Sequence, residues 1–136
     1  MESITREQIE ALINQHPDLN VSGLGDPDHL AGLPDKTKAA ERARLKADLL
    51  SSLEDIAFVV EWLAPVRKTK GINWQYTSYA LARAAERSAP RKRLANGAFI
   101  AGALLAGFSM YAELPNPYFN MSARSLKPLI DQAYTR

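Results

Sequence analysis

Apolar residues recur at intervals of three or four along several stretches of the chain, and each stretch predicts a helix with one buried face. Ile9, Leu12 and Ile13 define a short helix over residues 6–15, opened by a capping box of Thr5 with Gln8 and closed at His16-Pro17. Leu45, Leu49, Leu53, Ile56, Val60 and Leu63 repeat without a break until Pro65, with Asp35 as the predicted N-cap. A helix over 36–64 would be about 43 Å long. Ser51-Ser52 therefore reads as a bend or a fresh N-cap, and the helix as the spine of one core or as a seam for a homodimer. Thr77 or Ser78 caps a third helix, from about 79 to 87, with Leu81, Ala84 and Ala85 on its buried side. Asn96 caps a fourth, over 97–107, which is apolar all round and ends at Gly107 in the left-handed conformation.

The period then changes to two. Phe108, Met110 and Ala112 alternate with Ser109, Tyr111 and Glu113, Pro115-Asn116-Pro117 turns the chain, and Phe119 and Met121 resume the alternation. This predicts a β-hairpin at about 108–122. A last helix starts at Ser122 or Ser125 and buries Leu126, Leu129, Ile130 and Ala133, with Pro128 accommodated in its first turn. The predicted fold class is mostly α (α+β), with about five helices and a small C-terminal hairpin. Between Ser78 and Ser122 the order helix, connector, helix, hairpin matches the second half of a winged helix-turn-helix. The candidate recognition helix, Gly97 to Gly107, carries no polar side chain that reaches a base edge, which argues against sequence-specific reading.

A length of 136 residues suits one core. Residues 17–34 hold three glycines and three prolines, so residues 1–34 read as a helix and a flexible loop, loosely tethered to a single helical domain at 35–136. The chain has no cysteine and two histidines, which excludes disulfides, thiolate metal sites and cysteine nucleophiles. Asp26, Asp28 and His29 sit on a loop rather than on the rigid elements that metal sites use, and no serine lies on a nucleophile elbow. The expectation is a protein without catalysis, metal or cofactor. Leu94 to Ala112 carries no charge, but its dense apolar part, Ala98 to Phe108, is about half a membrane span. It reads as a core helix, with no membrane partner. The N-terminal stretch resembles no secretory leader, which points to the cytoplasm.

The net charge of +2 conceals an uneven distribution. Residues 1–63 carry six basic and twelve acidic side chains, whereas residues 64–93 carry eight basic and one acidic. Clustered cations raise a local field that favours an anionic partner, unless the acidic half folds back and neutralises them. Arg67, Lys68, Lys70, Arg83, Arg87, Arg91, Lys92 and Arg93 are the candidate phosphate contacts, and Trp74 and Tyr76 the candidate stacking groups for unpaired bases. The competing reading makes the long helix or the hairpin a protein-interaction surface, as in an adaptor or inhibitor.

The runs Lys68-Thr69-Lys70-Gly71-Ile72, Thr77-Ser78-Tyr79-Ala80-Leu81, Asn96-Gly97-Ala98-Phe99-Ile100-Ala101, Gly107-Phe108 and Pro117-Tyr118-Phe119-Asn120-Met121-Ser122 carry a resemblance. Over residues 66–127 the chain resembles small bacterial proteins, without an assigned activity, of plasmids, phages and related mobile elements. The resemblance implies a shared fold unit and, by association, DNA handling or modulation of host complexes. Ala82-Arg83 stands where that pattern leads one to expect Lys-His.

Overall fold

The computed structural model describes residues 3–89 and 93–135. In chain order these form α1 (Arg6–Gln15), β1 (Leu19–Asn20), β2 (Gly23–Leu24), α2 (Asp35–Leu50), α3 (Leu53–Trp62) and β3 (Lys68–Asn73). There follow α4 (Ser78–Arg87), α5 (Asn96–Leu105), β4 (Met110–Tyr111), β5 (Tyr118–Met121) and α6 (Ala123–Tyr134). The class is α+β, as the periodicities predict.

The apolar helix α5 lies at the centre, buried without interruption from Gly97 to Ala103. Phe99 meets Trp62 of α3 and Phe119 of β5 edge-on, each at 6.2 Å between ring centroids. Two glycines let other chain segments approach more closely than any side chain would permit. A Cβ on Gly97 would stand 1.9 Å from the Asn20 carbonyl oxygen, and one on Gly102 would stand 2.5 Å from Val59 Cγ1. Gly107 ends the run with φ at +96°, as predicted. No helix among the described residues is long and apolar enough to cross a membrane.

The predicted helix over 36–64 is two helices, broken at Ser51-Ser52. The serines mark a bend rather than a capped start, since Ser52 Oγ donates to the Asp48 carbonyl at 2.9 Å and makes no capping bond to α3. Ile56, Val59 and Trp62 of α3 are buried, while Leu53 is 37% exposed and Val60 half-buried. Leu45, Leu49, Ile56 and Leu63 are all buried within the one chain. Asp35 is the first residue of α2, with Pro34 rather than Asp35 in the cap position.

Residues 3–34 contribute side chains to the same core. The Thr5–Gln8 capping box is present, and Ile9, Leu12 and Ile13 are buried in the same core cluster as α5. The glycine- and proline-rich stretch holds the β1–β2 ribbon, in which Asn20 donates to the Gly25 carbonyl at 2.9 Å and accepts from the Ser22 amide at 2.8 Å. Lys46 of α2 donates to the carbonyls of Pro17 and Leu19, at 2.6 and 3.0 Å. Leu19, Leu24 and Leu30 are buried, and their burial offsets the ordering of a segment whose composition suggests a linker.

The predicted hairpin pairs Met110 with Phe119 and Tyr111 with Tyr118. Its second strand gains a further partner that the sequence reading missed. Arg67 to Gly71, expected only to break the helical period, begins strand β3, which pairs with β5 antiparallel from Lys68–Met121 to Asn73–Phe119 across an irregular register. The sheet order is β3-β5-β4. Thr77 caps α4 as expected, through the Ala80 amide at 3.2 Å. Asn96 does not cap α5: its side chain instead accepts from Ser78 Oγ and donates to Asn116 Oδ1, both at 2.8 Å, joining α4 to the hairpin loop. Ser122 caps α6, which starts early enough to place Pro128 beyond the first turn, at an exposed position.

Candidate nucleic-acid interface

The candidate cations separate into a strand group and a helix group. Arg67, Lys68 and Lys70 are exposed at and along β3. The Arg67 backbone is fixed by its amide donating to Ser125 Oγ and its carbonyl accepting from the Ser122 amide, both at 2.8 Å. Its side chain and Arg124 border a groove of about 500 Å³ floored by Pro65, Pro128 and Leu129. Lys68 lays its stem across buried Phe108, with the ammonium 5.0 Å from the ring centroid. Among the described residues no carboxylate pairs with Arg67, Lys68 or Lys70.

The helix group is engaged within the fold. Arg83 donates to the Leu94 carbonyl, lies 3.4 Å from Glu86 and stacks 4.8 Å over Tyr79. Arg87 donates to the Ala133 carbonyl at 3.1 Å and sits 4.5 Å from the Tyr134 ring centroid, tying α4 to α6. Arg93 is exposed beside a groove of about 630 Å³ that Tyr79, Arg83 and Asn96 also line. Arg91 and Lys92 lie outside the described residues.

Within residues 1–63 several carboxylates pair with cations of the same half. Arg42 grips Asp26 with two bonds, of 2.9 and 2.6 Å. Arg44 bridges Glu41 and Asp48, and His29 Nε2 lies 2.6 Å from Glu41. Asp26 and His29, two of the three loop groups weighed as metal donors, are therefore occupied by side chains of α2. Hydrogen bonds from Arg44 and then His29 hold the Glu41 carboxyl at about 2, below its ordinary 4.5. Because the folded value is the lower one, this stabilisation is present above pH 4.5 and is lost as pH falls toward 2. A carboxyl-detected NMR titration is expected to place the Glu41 midpoint near 2, and Arg44→Ala to move it back toward 4.5. An unmoved midpoint would show that the bridge does not persist in solution.

The two candidate stacking residues have different fates. Tyr76 is half-buried against the core. Trp74 is 59% exposed, and it forms a cluster with Tyr111 at 4.9 Å and Tyr118 at 5.1 Å between centroids. Tyr111 and Tyr118 were absent from the sequence-derived candidates. The hairpin alternation does contain the signal for them, because register pairs these two tyrosines across the strands, on the face opposite buried Phe119 and Met121. The site that results combines exposed cations along β3, which have no carboxylate partner among the described residues, with an open aromatic cluster at its end. Scans of protein-family models, curated proteins and solved structures return no match to the chain.

Proposed function

We propose that this protein is a non-catalytic nucleic-acid-binding protein whose phosphate contacts come from the basic segment 67–93, chiefly from β3. The observation that carries the reading is the set of exposed cations Arg67, Lys68 and Lys70, which have no carboxylate partner among the described residues. Arg83 and Arg87 already bond backbone carbonyls and aromatic rings, so they contribute field more than direct contacts. A winged-helix arrangement is part of the proposal, supported by a two-stranded hairpin that follows two helices and pairs with a strand preceding them. Burial of α5 leaves that helix no face for reading bases, which favours sequence-independent binding. The setting of a mobile element rests on the resemblance of residues 66–127 alone.

The double variant Lys68→Glu, Lys70→Glu is expected to weaken retention of a labelled oligonucleotide at low salt. It should also flatten the log–log salt dependence by about 1.4–1.8, the release expected for two phosphates. Absence of any retention by the wild-type chain would end the proposal. In that case the hairpin becomes a protein-docking surface, a reading favoured by Leu114, which is 62% exposed on the loop beside Tyr111.

A further inference from the structure

We infer that the Trp74, Tyr111 and Tyr118 cluster is a stacking platform for the bases of an unpaired nucleic-acid strand. The inference rests on the phosphate-binding proposal and names the substrate class of that same surface. Tryptophan is among the residues most strongly withdrawn from water on average, yet Trp74 keeps 59% of its surface open. It is nevertheless held in place. Asn73, one residue before it, donates to the Met121 carbonyl at 3.1 Å and accepts from the Gln75 amide, one residue after it, at 2.8 Å. The backbone on both sides is therefore pinned to β5 and to itself, while Tyr111 and Tyr118 brace the indole.

An exposed ring that is already ordered loses little conformational freedom when a second ring lies on it. Every nucleobase has a π-face, so such a surface tolerates any sequence but requires that the base be unstacked from its own helix. Lys70 lies four residues before Trp74 and Lys68 two further, both on strand β3, which ends one residue before Trp74, so cations suited to the phosphates lead up to the aromatic cluster. Duplex DNA offers this arrangement its phosphates and hides its base faces.

The test uses the full chain with a labelled oligo-dT, an oligo-U of the same length, and a hairpin-closed duplex, followed by fluorescence anisotropy. Either single strand is expected to bind at least about tenfold more tightly than the duplex. Trp74→Ala is expected to lose about tenfold for the single strand with an unchanged salt slope, and Trp74→Phe to retain most of the affinity. Strand binding should also shield Trp74 from acrylamide in the wild type, which provides a reading independent of any variant's folding. Equal affinity for strand and duplex would overturn the platform. So would Trp74→Ala binding like the wild type while Lys68→Glu, Lys70→Glu binds weakly, and phosphate binding would then stand alone. No binding by the wild type overturns both.

Discussion

Phe99→Ala is expected to lower the free energy of unfolding by about 3–5 kcal/mol, measured by urea denaturation with an unchanged m-value. Phe99 is fully buried in the middle of α5, and its ring is wedged between Trp62 at 70° and Phe119 at 64°. Those contacts come from α3 on one side and the sheet on the other, so truncation leaves a hole that neither neighbour can fill without leaving its own packing. A domain of this size has a total stability of about 5–15 kcal/mol, so the loss takes a large share of it. A loss below about 1 kcal/mol would show that α5 is not the centre of the core.

Gly97→Ala is expected to cost about 3 kcal/mol or more although it adds a single methyl group. The new carbon would stand 1.9 Å from the Asn20 oxygen and 2.8 Å from the carbonyl carbons of Asn20 and Val21. All three are backbone atoms, so no rotamer change relieves the clash. The β1–β2 ribbon would have to lift from α5 and break the bond from the Gly97 amide to the Val21 carbonyl, 3.0 Å long. Gly71→Ala is the control, since nothing lies within 4 Å of a carbon added there, and its effect should stay within about 0.5 kcal/mol. Equal melting temperatures for the two variants would refute the close approach at Gly97.

These two positions show what local pattern can and cannot convey. An unbroken apolar run with glycines marks α5 as buried, and no spacing rule indicates that Gly97 admits the backbone of residues 20 and 21. The hairpin was legible because alternation of period two is a property of neighbouring residues. Strand β3 was not, because Lys68 to Asn73 alternates nothing: it is an edge strand, exposed from Lys68 to Gly71. Its conformation comes from distant partners, through the Asn73 bond to Met121 and the Asn120 bond to the Thr69 carbonyl at 3.0 Å. The apolar spacing over 36–64 likewise runs on past Ser51-Ser52, where the chain breaks into two helices, and it does not distinguish Val59, which is buried, from Val60, which is half-buried.

What the amino-acid order determined alone was local: helical and alternating periods, the cap at Thr5, caps narrowed to Thr77 or Ser78 and to Ser122 or Ser125, the stop at Gly107, and the division into an acidic half and a basic middle. Only the tertiary structure decided which charges are available. Arg83 and Arg87 look equivalent to Lys68 and Lys70 in a count of residues, yet the first pair bonds backbone carbonyls and stacks on rings, whereas Lys68 meets only the Phe108 ring and neither lysine has a carboxylate partner among the described residues. The same holds for the aromatic cluster, whose three rings come from separate stretches and meet only because β5 pairs with β3 on one edge and β4 on the other. The physical reason is range: dihedral preferences and caps act over a few residues of chain, whereas ion pairs, hydrogen bonds and ring contacts act over a few ångströms of space.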